Sequence, residues 1–224
     1  MKKLIVAIDG PSGAGKGTIA RTLAESLGYR HIDTGAMYRA IGWKANVEGI
    51  PLDDERAVAD LAQRADIVLE GGVVSIDGHD VTRAIRTPEI DRAATAVARL
   101  PRVREVLVAR QRKFGEAGGI VMEGRDIGTV VFPNADLKIY LDASAEERAR
   151  RRAGDTAHTG GQAGQEAVAA SIAARDKSDT TRIVSPLTVA PDAVHIDTTG
   201  MPIQQVVDTV MELVRRRGGV QRSL

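Results

Sequence analysis

The chain contains no cysteine. Disulfides, thiol chemistry and cysteine-bound zinc are therefore excluded, and the composition suits a reducing compartment. No apolar stretch approaches the roughly 20 residues that span a bilayer. An excess of either charge is missing too: 31 Lys and Arg face 30 Asp and Glu, for a net charge of +1. A balance of that kind leaves no electrostatic footprint for nonspecific binding to nucleic acid or a membrane surface. The N-terminus is basic, but the apolar run behind it is too short for a signal peptide. No internal repeat is visible. With 224 residues, the sequence reads as a soluble cytoplasmic protein of one domain, or one domain with an insertion.

What is present is organised around Gly10-Pro11-Ser12-Gly13-Ala14-Gly15-Lys16-Gly17-Thr18. An apolar run, Leu4–Ile8, leads in, and a helical pattern (Ile19, Ala20, Leu23, Ala24, Leu27) leads out. Strand, glycine-rich loop and helix form the context of a phosphate-binding loop. The glycines let successive backbone N–H groups point inward at phosphate oxygens, and the helix start adds its own unpaired donors. Lys16 is placed to reach the β- and γ-phosphates of a nucleoside triphosphate. Where Ser or Thr commonly follows the lysine, here stands Gly17, with Thr18 one place later. Magnesium is then expected to be held largely through phosphates and water, with Thr18 able to assist and no protein ligand set of its own.

Further apolar runs at Tyr29–Ile32, Gly119–Met122, Leu137–Leu141 and Ala193–Ile196 alternate with helical patterns. Five short buried strands between helices predict an α/β fold, a P-loop NTPase of three α/β/α layers around a five-stranded parallel sheet. Functional groups in such a sheet gather at the carboxyl ends of the strands. Between the second and third core strands, Asp66–Glu70 and Val73–Ile76 flank Gly71-Gly72, a hairpin signal, and Asp80–Thr82 suits a third short strand. The expected organisation is one domain over 1–224. Its core is 1–62 and 93–224, with a small antiparallel β insertion at about 63–92 and a glycine-rich mobile lid at about 150–165. The basic helix after Pro101 (Arg102, Arg104, Arg110, Arg112, Lys113) reads mostly as a solvated face, and the last helix is expected over about 202–217.

A phosphate loop alone does not choose among ATPases, GTPases and kinases. Three other clusters are more informative. Asp33-Thr34-Gly35-Ala36-Met37-Tyr38-Arg39 turns from a strand into a helix. Glu123-Gly124-Arg125-Asp126-Ile127-Gly128-Thr129 places an Arg-Asp pair beyond the third core strand. In Arg175-Asp176-Lys177-Ser178-Asp179-Thr180-Thr181-Arg182, the residues Arg175, Asp179 and Arg182 share a face if helical. A guanine-specificity motif is not seen, and arginine clusters have no evident job in a nucleotide-binding switch. With Pro101-Arg102-Val103-Arg104-Glu105, these motifs and their order resemble the bacterial cytidylate kinases along nearly the whole chain.

That resemblance implies transfer of the γ-phosphoryl of ATP to CMP or dCMP, with Mg2+ accompanying ATP. It implies that Thr34, Thr95, Arg104 and Asp126 face the cytosine. Arg39 and Arg125, with Arg182, would clamp the monophosphate, while Asp179, with Arg175 and Arg182, would meet the ribose. Lys16, Arg125 and Arg182 would carry the catalytic charge, and the insertion would lie on the monophosphate side. The expected partners are these small molecules, with no nucleic acid, no membrane and no second subunit required. Another nucleoside monophosphate kinase and a P-loop switch are the alternative readings; a panel of acceptors separates them.

Overall fold

A computed structural model describes residues 3–155 and 164–218. Its centre is a five-stranded parallel sheet of β1 (Ile5–Asp9), β2 (Arg30–Asp33), β6 (Ile120–Gly124), β7 (Leu137–Asp142) and β8 (Val194–Asp197), in the order β2-β6-β1-β7-β8. Every neighbouring pair in it is parallel. Each strand runs one or two residues further toward its carboxyl end than the apolar runs predict. The acidic residues Asp9, Asp33, Asp142 and Asp197 are thus the last residues of their strands. β1 lies between β6 and β7 and is covered on both faces, which is why its sequence is continuously apolar and not alternating.

Two hydrophobic cores cover the sheet. On one face Ile8, Leu23, Leu141 and Val210 pack α1 (Lys16–Leu27) and the last helix, α8 (Ile203–Gly218), against the strands. On the other, α2 (Thr34–Val47), α3 (Glu55–Arg64), α4 (Pro88–Val97) and α5 (Pro101–Gly115) form one core with the inner side chains of a second, antiparallel sheet. That small sheet is β3 (Ile67–Glu70), β4 (Val73–Ile76) and β5 (His79–Asp80). Gly71 and Gly72 both have positive φ in the β3–β4 turn, as a two-residue hairpin requires. The third strand is shorter and earlier than Asp80–Thr82. Thr82 leaves the ladder because its hydroxyl accepts from the Val74 N–H at 2.9 Å. The residues after it coil back, and Thr87 caps α4 with Pro88 in the first turn.

Two close approaches set the positions of site-bearing helices. A Cβ on Gly42 would stand 3.0 Å from that of Ala93, so α2 and α4 pack almost backbone to backbone. Gly10, at φ +149°, lies where a Cβ would meet the Leu141 carbonyl oxygen at 2.0 Å. A side chain there would push the loop after β1 away from β7. Two further helices, α6 (Ala145–Ala153) and α7 (Gln165–Thr181), pack on each other beyond β7. No helix among the described residues is long and apolar enough to cross a membrane.

Candidate active site

The carboxyl ends of β1, β2 and β6 open into one cleft of about 830 Å3. Its first half is the loop after β1. Gly13 and Gly15 hold φ of +79° and +89°, a left-handed conformation that only glycine adopts without cost, and they turn the chain into the start of α1. Lys16 is 6% exposed and its Nζ donates to the Pro11 carbonyl at 2.7 Å. Burial, with the Arg125 cation as a second cause, pushes the Lys16 ammonium down to about 7. Helix α6 braces the loop from outside. Arg148 donates to the Ser12 carbonyl at 3.0 Å and pairs with Asp176, which in turn accepts from the Ser12 N–H. Arg151 reaches Thr198 Oγ1 at 2.9 Å and the Ala14 carbonyl at 3.4 Å.

The second half gathers arginines from five elements against a smaller number of carboxylates. Arg39, one turn into α2, donates to Asp33 at 2.6 Å. Burial works against the Asp33 anion, yet Arg39 and His31 hold its carboxyl below the usual range. Arg125, just past β6, donates to Asp179 Oδ2 at 2.8 Å. Arg182 lies 3.8 Å from Asp179 and 3.7 Å from Asp126. Arg104 is 2% exposed and pairs with Asp126. Arg175 and Arg152 converge on Asp91 from different helices. Burial, and next the Arg125 cation, push Arg175 down to about 10. Cations brought so close disfavour one another, which an incoming anion would relieve.

Two hydroxyls complete the wall. Thr34 Oγ1 donates to the Glu123 carbonyl at 2.7 Å, and Thr95 Oγ1 to the Asp91 carbonyl at 2.8 Å. Each has its proton committed to backbone, so each oxygen faces the cleft as an acceptor. Asp126 is fixed from behind by its neighbours. Residues Ile127–Val131 form a π-helical turn, a rare geometry that recurs at functional sites. The Asp9 carboxylate anchors it, accepting from Ile127 N at 2.8 Å and Gly128 N at 2.7 Å.

A loop built for a polyphosphate therefore faces, across one cleft, a second cluster of arginines beside a buried Arg104–Asp126 pair. A family model described as cytidylate kinase matches residues 6–216. The chain belongs to the cytidylate kinase family. Cytidylate kinases of Bacillus subtilis (strain 168) and Solibacter usitatus (strain Ellin6076) are 50% and 48% identical to it. The alignments cover 96% of this chain in both cases, and 98% and 94% of those proteins. A gluconokinase from Sinorhizobium meliloti 1021 shares the fold, with a TM-score of 0.51 at 16% identity over 96% of this chain and 93% of its own. As a member of this family, the protein is an ATP-dependent phosphotransferase.

Against the family's motifs, the structure brings Ser12 to Thr18, Thr34, Arg39, Thr95, Arg104, Arg125, Asp126, Arg175, Asp179 and Arg182 to this single cleft. Gly10 and Pro11 stand behind it: Gly10 packs on β7, and Pro11 offers its carbonyl to Lys16. Arg182 does not continue the face of α7. It caps the helix in extended backbone and is held by its own Nε–H to the Ser185 carbonyl at 2.6 Å. Two members of the basic α5 stripe also reach back onto the protein, Arg110 half-buried and Arg112 while still exposed. Arg110 donates to the Gln63 and Ala65 carbonyls, and Arg112 to those of Val130 and Val131, tying down the π turn. Periodicity gives no sign of such reaches, because a long side chain bonds wherever the tertiary fold leaves a carbonyl open. Arg86 also lines the cleft, outside every motif of the sequence. It follows no helical or strand pattern, so nothing local marks it. Of the expected lid, residues 156–163 lie outside the described residues, as do 219–224 beyond α8.

Proposed function

We propose that the protein transfers the γ-phosphoryl of ATP to CMP or dCMP, giving ADP and the nucleoside diphosphate. ATP occupies the loop of Gly10–Thr18, with Lys16 on its outer phosphates. Arg39, Arg125 and Arg182 hold the acceptor phosphate, Asp179 and Arg175 its sugar, and Thr34, Thr95, Arg104 and Asp126 its base. The observation that carries the reading is the buried Arg104–Asp126 pair at the far end of a cleft lined with arginine. Cytosine presents an amine donor beside a ring acceptor. Asp126 accepts from the amine, and Arg104 donates to the acceptor. Uracil reverses that edge and would set a carbonyl against a carboxylate, a mismatch that buried sites reject strongly.

The chemistry needs no general base. A phosphate monoester loses its second proton at about pH 6, so the attacking oxygen is already an anion at neutral pH. The barrier is mainly electrostatic, because two polyanions must meet in line. Permanent cations with bidentate geometry answer it, and lid closure would exclude water. Asp126, paired with two arginines, orients the base and does not take a proton.

Among the described residues no cluster of three or more His, Cys, Asp or Glu could hold a metal ion. Magnesium would find hard oxygen donors in the Thr18 hydroxyl and in Glu123, whose Oε1 lies 3.3 Å from where a Gly17 Cβ would be. It would supply charge neutralisation at the β- and γ-oxygens. In this reading the protein works in the cytoplasm as a monomer, on small molecules and without nucleic acid or a membrane.

The test is ADP release from MgATP with CMP, dCMP, UMP, AMP, GMP and dTMP offered separately. Release confined to CMP and dCMP supports the reading; slow release without any acceptor refutes it in favour of a P-loop hydrolase.

Lys16, held at about 7, is only partly protonated above neutrality, and triphosphate oxygens beside it restore the proton. ATP binding at pH 8 is expected to take up protons, and at pH 6 much fewer. Calorimetry in buffers of different ionisation enthalpy measures this, and Lys16→Met should abolish it. For Asp179→Ala, kcat/KM should fall more with CMP than with dCMP, by about tenfold, since one hydrogen bond to a charged group is worth about 1.5–3 kcal/mol. Equal losses with the two substrates would remove the contact to the 2′-hydroxyl.

A further inference from the structure

Tyr38 lies one helical turn after Thr34 on α2, is 8% exposed, and lines the base end of the cleft. Its ring stands beneath the Arg104 guanidinium, with Cζ 5.6 Å from the ring centroid. Its hydroxyl is buried and makes no hydrogen bond among the described residues. Arg104 itself is under-constrained by hydrogen bonds. One Nη donates to Asp126, the other makes only a long 3.4 Å bond to the Ala98 carbonyl, and the buried Nε has no hydrogen-bond partner among the described residues.

A guanidinium held at one edge can pivot about that edge. What limits the pivot is the flat aromatic surface under it, which favours the cation parallel or near-parallel to the ring and in contact with its face. Arg104 and Asp126 are only 2% and 6% exposed, and the low dielectric there strengthens every donor–acceptor match or mismatch.

We infer that Tyr38 is a positioning residue for acceptor specificity: it acts through Arg104, setting the plane in which that guanidinium meets the pyrimidine edge. The phosphoryl-transfer machinery does not depend on it. Its ring matters more than its hydroxyl, because the contact to Arg104 is made by the ring face. This rests on Arg104 and Asp126 facing the base.

The experiment compares Tyr38→Phe and Tyr38→Leu with the unaltered protein, measuring kcat and KM for CMP and UMP at saturating MgATP, and KM for ATP. Tyr38→Phe is expected to keep the ratio of kcat/KM for CMP over UMP within about twofold. Tyr38→Leu should lower that ratio about tenfold, mainly through a higher KM for CMP, with KM for ATP unchanged; a factor of ten is the size of one desolvated cation–π contact. In an Arg104→Ala background, Tyr38→Leu should leave the ratio where it is, because the group it positions is gone.

If Tyr38→Leu lowers kcat/KM for CMP and UMP equally, Tyr38 is only a packing residue and the inference fails. It fails as well if the ratio still falls in the Arg104→Ala background, since Tyr38 then meets the base directly. Should Tyr38→Leu not fold, Tyr38→Met fills similar volume without a ring and serves in its place. If the unaltered protein uses UMP as well as CMP, it is the assignment of the base site that is wrong, an outcome distinct from failure of Tyr38 alone.

Discussion

Lys16→Ala is expected to lower kcat by about a thousandfold, the scale set by removing one preorganised cation from a transferring phosphoryl group. Folding should not suffer. Lys16 is buried, feels the Arg125 and Arg175 cations against the Glu123 and Asp179 anions, and bonds only to the Pro11 carbonyl among the described residues. Removing an ammonium whose charge is disfavoured by burial returns some of the desolvation cost. The melting temperature without nucleotide should therefore stay level or rise slightly, while the stabilisation given by ATP shrinks. Turnover with CMP, read beside a melting curve with and without MgATP, checks both parts. Near-normal kcat would remove Lys16 from the phosphate site.

Arg125→Ala should cost about a hundredfold or more in kcat/KM for CMP, because it removes a permanent charge and a bidentate fork from the place where the two phosphates meet. The residue sits between the halves of the cleft: its charge is felt by Lys16 on one side, and its Nε holds Asp179 on the other. Losing one member of a buried pair normally costs about 3–5 kcal/mol. Here Asp179 keeps Arg182 at 3.8 Å and the influence of Arg175, so the loss of stability should be smaller. Arg125→Lys separates charge from geometry, and should fall between alanine and the native residue. The comparison variant is Arg102→Ala, at an exposed position on α5, and not Arg112→Ala, since Arg112 holds the π turn behind Asp126. Equal losses at Arg102 and Arg125 would undo the clamp.

Much of this molecule is written in short range. The apolar run before Gly10, the left-handed glycines and the helical pattern after Lys16 depend only on neighbouring residues, so strand, loop and helix could be read directly. So could the hairpin at Gly71-Gly72, whose turn geometry selects glycine, and the start of α6, where Ser144 caps the Glu147 N–H at 3.2 Å. The parallel sheet followed because five apolar segments separated by helices have few other ways to be buried. The three arginine-bearing motifs were visible as well, since strand ends in such a sheet share one edge.

What remained was decided by distance in the fold. The partners Arg104 and Asp126 are 22 residues apart and Arg125 and Asp179 are 54 apart, and no local rule links either pair. Arg182 required the exit of α7 and the Ser185 carbonyl to turn it inward, where helical periodicity alone placed it on a face. Arg86 and Tyr38 acquire meaning only from what packs against them. Sequence by itself determined the elements, the phosphate loop and the types of charge available, because each rests on backbone conformation or burial of a single segment. Tertiary structure alone decided which charge meets which, and on which side of the cleft, because a guanidinium on a long flexible stem takes its place from the surface that receives it.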